Sequence, residues 1–156
     1  MSPDTDSFEN KQIEWFFRGQ ALGLAGATAG AGSGPANLYV GLLTAGGSDS
    51  SVGTEVSGGG YARVQVVSSL ANWAGTQGAG STTASTGTSG TTSNNNAITF
   101  PTPTAAWGQV VEFGVFDSAS GGIEIFRAAL TAPKTINQGD PAPSFAAGAL
   151  TYQIDN

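Results

Sequence analysis

Three carboxylates, Glu112, Asp117 and Glu124, are the side chains whose type and spacing are best suited to chemistry. A pair of carboxylates can cleave a glycosidic bond, one as the acid and the other as the base or nucleophile. Glu112 and Glu124, however, are flanked by residues that alternate as on β-strands, and no cluster of aromatic residues surrounds them. We therefore expect both to be solvated side chains and the protein not to be an enzyme, with carbohydrate cleavage as the alternative that this pair would support.

Other catalytic and metal sites lack their usual residues. The sequence has no His and no Cys, which excludes Ser-His-Asp triads, Cys-His pairs and His-based metal sites. Asp49, Glu55, Asp117 and Asp140 could bind calcium only if the fold gathered them, and their spacing is not that of an EF-hand. The glycine-rich segment 53–63 lacks the Lys and the following helix of a phosphate loop, so it is predicted to be a turn that leads into a strand. We expect no metal and no cofactor.

One short helix is predicted near the start of the chain. Asp6 or Ser7 can cap it, Glu9 stands three residues after Asp6 as in a capping box, and Gly19 is a natural stop. Four apolar residues recur near helical spacing: Phe8, Ile13, Phe16 and Phe17. The helix either closes one end of the fold or docks on a neighbouring subunit.

Alternating apolar and polar residues predict strands in the rest of the chain. The segments are 38–44, 61–67, 110–117, 122–130 and 150–154. The third and fourth form a hairpin, which should place five residues on one face: Val111, Phe113, Val115, Ile123 and Ile125. Phe116 and Phe126 are expected to meet on the other face, and Trp73 and Trp107 are expected to pack in the core or on a sheet rather than to stack on sugars.

Composition supports a mainly β fold. Gly accounts for 24 of the 156 residues and only 10% are charged, as in proteins of short strands and turns. We predict an antiparallel β-sandwich, jelly-roll-like, with one short N-terminal helix. The predicted organisation is a helical segment at 1–20, a Gly/Ala connector at 21–36 and a single β-sandwich domain at 37–156.

A polar tract at 75–96 contains hardly any apolar side chain and is predicted to be a disordered-like exposed loop. It is either a tolerated insertion or an adhesive or inter-subunit arm. Its serine, threonine and asparagine side chains could hydrogen-bond to another protein.

Charge and composition also limit the partners. A net charge of −6 with five scattered basic residues argues against nucleic acid, whose binding depends on Lys and Arg. No run has the length of a membrane span, and the first residues do not resemble a signal peptide, so we expect synthesis in a cytoplasm and no membrane partner. Without cysteine there are no disulfides, and assembly into a homo-oligomer, a dimer or trimer, is the expected substitute.

Seven sequence blocks stand in a recognisable order. They are ENK with RG at 9–19, LYVGLLT at 38–44, GTEVSGGGYAR at 53–63, ITFP with W and FGVFD at 98–117, GG at 121–122, ALT-PKTIN-GD at 129–140 and FAAGALT within 145–154. In this order the chain resembles a family of small tailed-bacteriophage virion proteins, described as tail fibre, head fibre or decoration proteins. The resemblance implies a structural protein of the virion.

The function predicted first is that of a capsid cement, or decoration, protein. It would bind the outer surface of the major capsid protein lattice through many weak contacts and stabilise the head, which places it on the capsid exterior of the virion. The alternative is a tail-fibre or head-fibre adhesin that binds a host receptor. The residues predicted to contact partners are Phe8, Trp15, Phe16, Arg18, Val56, Thr82 and Asn95.

Overall fold

The computed structural model describes residues 5–24 and 34–154. The chain divides into two compact units, each built from separate segments. The first unit comprises Met1–Ala36, Val67–Ile98 and Phe145–Asn156, and the second comprises Asn37–Val66 and Thr99–Ser144. Residues 25–33 of the predicted connector at 21–36 lie outside the described residues, and the predicted single domain at 37–156 stays a prediction.

The described residues form one helix and nine strands. The elements are α1 (Asp6–Phe16), β1 (Asn37–Ala45), β2 (Thr54–Glu55), β3 (Val64–Val67), β4 (Thr91–Ser93), β5 (Ile98–Thr99), β6 (Gly108–Phe116), β7 (Glu124–Ile136), β8 (Ser144–Phe145) and β9 (Thr151–Gln153). This confirms the predicted class, mainly antiparallel β with one short N-terminal helix, while the jelly-roll connection stays a prediction. Within the described residues, no helix has the length and hydropathy needed to cross a bilayer.

A five-stranded sheet dominates the second unit, with β2, β1, β6 and β7 in that order and β3 also paired with β1. Val40 lies opposite Val115, and Leu42 lies opposite Phe113. These four side chains are buried, because alternate residues of paired strands share one face of the sheet. The predicted strand at 38–44 and the predicted hairpin are therefore confirmed.

The hairpin differs from its prediction in which aromatic residues meet. The register shifts between Val115 and Phe116, so that Phe126 lies opposite Val115. The ring of Phe126 consequently contacts Phe113, edge to face at 6.1 Å, and the predicted pair with Phe116 is wrong. Ile123, predicted to join the Phe113 row, precedes β7 and is 68% exposed. One extra residue in a strand reverses the faces of the residues beyond it, which is the physical reason for the error on Phe126. Ile123 is exposed because it lies in the turn, where its N–H donates to Asp117.

Several strand ends also differ from the alternation pattern. β7 continues past the predicted end at residue 130 and through Pro133 to Ile136. Proline is tolerated there because β7 is the last strand in the sheet order, where a missing N–H breaks fewer ladder bonds. β3 begins only at Val64, since the N–H of Tyr61 donates to the carbonyl of Gly58 in a turn. The predicted turn within 53–63 is thus confirmed.

The helix cap lies one residue earlier than predicted. Thr5, rather than Asp6 or Ser7, is the N-cap, and its carbonyl accepts the N–H groups of Phe8 and Glu9. The helix ends at Phe16, three residues before Gly19.

The polar tract contributes to the interior of the first unit, contrary to the expectation of an exposed loop. Thr91–Ser93 form β4, which pairs antiparallel with β9, and Thr92 and Asn94 are almost completely buried. The Thr92 hydroxyl donates to the carbonyl of Ala74 at 2.7 Å. Polar side chains can be buried in this way because hydrogen bonds replace the water that they lose.

Candidate interaction surface

Arg18 joins the helical segment to the polar tract of the first unit. Its side chain is 0% exposed. Nε donates to the carbonyl of Trp73 at 2.9 Å, and the guanidinium also donates to the hydroxyl of Ser85 at 3.2 Å and to the carbonyl of Ser81 at 3.5 Å. Its ion-pair partner is Glu14, one helical turn earlier. A buried guanidinium with these partners fixes the tract segments that it touches.

Two further side chains of α1 bind the tract. The Glu14 carboxylate accepts the backbone N–H of Ser85 at 2.8 Å. Asn10 donates to the carbonyl of Gly87 at 3.0 Å and accepts a hydrogen bond from the hydroxyl of Thr76. The helix therefore holds the tract at both Ser85 and Gly87. Sequence reasoning missed this role for Glu14, although its spacing of four residues from Arg18 is the signal for an ion pair on a helix.

Beneath the tract lies an aromatic cluster. Phe17 contacts Trp73 edge to face at 5.1 Å and Tyr152 at 5.3 Å, and Ile13 is fully buried. Burial raises the pKa of the Tyr152 hydroxyl above its usual value. The prediction that Trp73 packs in the core is confirmed, and so is that for Trp107 of the second unit, which is 5% exposed.

Hydroxyl-bearing residues of the tract face the solvent above these anchors. Between the contacts at Ser81 and Ser85 lie Thr82 and Thr83, both exposed, and Thr86 and Thr88 are exposed on either side of Gly87. Gln77, which belongs to the same tract, also fixes this part of it. Its amide nitrogen donates to the carbonyl of Ala84, and its amide oxygen accepts the N–H of Thr86, each at 3.1 Å. We call residues 81–89 the threonine surface.

The carboxylates with which the sequence argument began belong to the second unit. Glu112 and Glu124 both approach Arg127, which lies 3.5 Å from each carboxylate. Asp117 lies in the hairpin turn, where it accepts the N–H of Ile123 at 2.7 Å. The two carboxylates share one guanidinium, which offsets only one of their two negative charges.

Glu55, Tyr61 and Arg63 form a second ionic group on the same unit. Arg63 donates to both carboxylate oxygens of Glu55, at 2.8 and 2.7 Å, and its guanidinium lies 3.4 Å from the ring centroid of Phe116. Burial opposes ionisation of Glu55, but hydrogen bonds from Arg63 and Tyr61 and the Arg63 charge outweigh it and lower the pKa of this carboxyl. Burial, together with the hydrogen bond to Glu55, raises the pKa of Tyr61.

Three of the four residues considered for calcium are engaged separately. Glu55 binds Arg63, Asp117 accepts from Ile123, and Asp140 accepts the N–H of Asn137 at 2.7 Å. No group of three or more His, Cys, Asp or Glu residues suited to a metal ion occurs in the part of the chain that the structure describes.

Comparison with family models gives a match to the family described as podophage GP4 fiber I protein gp80, over residues 4–153. The chain belongs to this family. It is therefore a bacteriophage virion structural protein, as the sequence blocks implied. A search of curated proteins gave no match.

For this member of the gp80 fibre family, the predicted contact residues fall into three groups. Thr82 is exposed; Phe8, Trp15, Phe16 and Asn95 are half-buried; Arg18 and Val56 are buried. That these residues contact a partner stays a prediction, although the side chains of Arg18 and Val56 are buried. An arginine reads as a surface residue in a sequence, but here it satisfies carbonyls that would otherwise be buried without partners. Asn95 donates to the carbonyls of Leu70 and Ser81, so its amide is engaged within its own unit.

Proposed function

We propose that this gp80-family protein is a fibre subunit of a podophage particle and that its threonine surface, residues 81–89, contacts the host cell. The family description supports a fibre. The observation that carries the contact surface is Arg18: its fully buried side chain binds the backbone of Ser81 and the hydroxyl of Ser85. A segment with no apolar core of its own is thereby held in one conformation with its threonines exposed.

Such pre-organisation matters for binding. Ordering a flexible loop on contact costs roughly 1–2 kcal/mol of backbone entropy per residue. Where intramolecular hydrogen bonds have already ordered the loop, more of the contact energy appears as affinity. Repeated copies of a weak hydroxyl-rich contact on an oligomeric fibre would add avidity. A homo-oligomer, binding without catalysis and the absence of nucleic-acid and membrane partners are parts of this proposal.

The second candidate is capsid cement on the outside of the head, with the major capsid protein as partner. It is favoured by α1, where Phe8, Trp15 and Phe16 remain only half-buried on a short helix. Partly exposed aromatic side chains are common anchors at protein interfaces. Under this proposal, Trp15→Ala would weaken capsid binding.

The two candidates differ in copy number. Quantitative mass spectrometry of purified particles, with the major capsid protein as the internal standard, gives the ratio directly. A handful of copies per particle, with immunogold label on fibres, is expected for the fibre. A ratio near one to one, or a simple lattice fraction of it, would refute the fibre and support cement.

A contact variant tests the threonine surface itself. Thr82→Arg places a large charged side chain on this surface, and Thr102→Arg places the same side chain at an exposed position of the second unit. We expect particles with Thr82→Arg to adsorb more slowly to host cells and those with Thr102→Arg to adsorb normally. Equal adsorption by both would exclude the threonine surface as the contact.

A further inference from the structure

A cleft of about 410 Å³ lies in the second unit, beside the ion pair of Glu124 and Arg127. It is lined by the loop residues 48–52 and by 124–127 of β7. Clefts of roughly 300–1,000 Å³ are the size that proteins use for small ligands. A cleft of this size accommodates a sugar or a short oligosaccharide rather than a folded partner.

The loop beside the cleft is internally bonded. Ser48 and Ser51 exchange backbone hydrogen bonds at 2.9 and 3.2 Å, and the Ser48 hydroxyl bonds to the hydroxyls of Ser50 and Ser51. The N–H of Gly53 donates to Oε2 of Glu124 at 3.2 Å, which ties the loop to β7 although the two residues are 71 positions apart. The serine hydroxyls and Asp49 are therefore presented by a fixed loop.

The opposite side of the cleft contains charged groups with unused hydrogen-bonding capacity. The Glu124 side chain is 4% exposed, and its Oε1 atom, which has no hydrogen-bond partner among the described residues, is itself buried, so the accessible charged group on this side is Arg127, whose side chain is 24% exposed. Arg127 lies 3.5 Å from both Glu112 and Glu124, longer than the roughly 2.7–2.9 Å of a strong charge-assisted bond. Its guanidinium can therefore donate to a further acceptor.

Apolar surface completes the lining. Val52 is 66% exposed, and Ile125 and Phe126 contribute from β7. A sugar has both a ring of C–H groups and a set of hydroxyls that donate and accept. Apolar side chains beside carboxylates, hydroxyls and a guanidinium match both features of such a ligand.

The charges decide between ligand classes. Asp49 and Glu124 repel a phosphate or sulfate, and Arg127 repels a metal ion. A neutral polyol is repelled by neither, because its hydroxyls can donate to the exposed Asp49 carboxylate and accept from the Arg127 guanidinium. We propose that this cleft binds a neutral saccharide. The inference rests on the proposed function, in which the protein contacts the host cell surface.

The test uses the full-length protein and four free saccharides: D-glucose, D-galactose, D-mannose and N-acetyl-D-glucosamine. Titration is followed by the backbone amide NMR signals of 48–53 and 124–127. At least one saccharide is expected to shift these signals selectively. Asp49→Asn should weaken its binding about tenfold, because the neutral amide oxygen accepts a weaker hydrogen bond than the charged carboxylate.

Asp6→Asn is the matched control, because Asp6 and Asp49 are both exposed aspartates and the two variants lose the same charge. The control should bind the saccharide as the unmodified protein does. The inference fails if none of the saccharides shifts the cleft signals or if Asp49→Asn binds as tightly as Asp6→Asn. Copy number and host adsorption do not depend on this titration. A fibre-like copy number without saccharide binding would therefore remove only the inference, whereas a one-to-one ratio to the capsid protein would remove the proposed function whatever the titration showed.

Discussion

Arg18→Ala is expected to destabilise the first unit and to release the polar tract. The substitution removes the donors to the carbonyls of Trp73 and Ser81 and to the hydroxyl of Ser85, and it leaves the Glu14 carboxylate without its cation. Breaking a buried ion pair by removing one partner costs about 3–5 kcal/mol. Because whole domains are stable by only about 5–15 kcal/mol, this is a large share.

The loss can be measured by urea unfolding followed by tryptophan fluorescence, since Trp73 is fully buried in this unit and its backbone carbonyl accepts from Arg18. For a chain of this size, 3–5 kcal/mol corresponds to a fall in melting temperature of roughly 6–20 °C. Hydrogen exchange should also speed up at the amide of Ser85, which donates to Glu14. Lys134→Ala is the control, because it removes the same charge from an exposed position and should change stability by no more than about 0.5 kcal/mol.

A double-mutant cycle completes the argument. If Arg18 and Glu14 stabilise the protein as a pair, the Arg18→Ala/Glu14→Ala variant should be less destabilised than the sum of the two single variants. If Arg18→Ala unfolds within about 1 kcal/mol of Lys134→Ala, the buried arginine is not the anchor of the tract, and the reasoning from its contacts is refuted.

Three further predictions concern the second unit. Gly114→Ala should destabilise it by about 1–3 kcal/mol in urea unfolding, because the added Cβ would lie 2.9 Å from the ring of Phe116. Glu55→Gln should lower the free energy of unfolding at neutral pH and leave it nearly unchanged at low pH. Arg63 lowers the pKa of Glu55 in the folded state, so the unmodified protein itself loses this stabilisation as the pH falls below the usual carboxyl value of 4.5. Tyr61→Phe should reduce the loss of stability above pH 10, because the raised pKa of Tyr61 disfavours the folded state once the unfolded tyrosine ionises.

Each of these has its own control or contrary result. Ser57→Ala, at an exposed position, should leave the urea midpoint unchanged, and an equally small change for Gly114→Ala would show that the Phe116 ring moves aside freely. Asp49→Asn is the control for Glu55→Gln. A constant difference between Glu55→Gln and the unmodified protein from pH 3 to 7 would contradict the ion-pair argument, and unchanged alkaline unfolding of Tyr61→Phe would contradict the tyrosine argument.

Much of the fold could be predicted because its signals are local. The strand at 37–45 and the hairpin of β6 and β7 follow from apolar alternation, and the turn before β3 follows from its glycines, each with positive φ at 58, 59 and 60. These features depend on residues close together in sequence. The bulge between Val115 and Phe116 could not be predicted in the same way, because the register that it changes is set by the packing of both strands.

The sequence by itself determined the mainly β class, the N-terminal helix and the virion family, since alternation and the ordered blocks stand in the residues themselves. Tertiary structure alone decided that Arg18 is buried against Trp73, 55 positions away, and that the loop at 48–53 meets Glu124. The alternation of apolar and polar residues along the chain indicates which side chains are buried away from water. Which polar group replaces that water at a buried site depends on segments that only folding brings together.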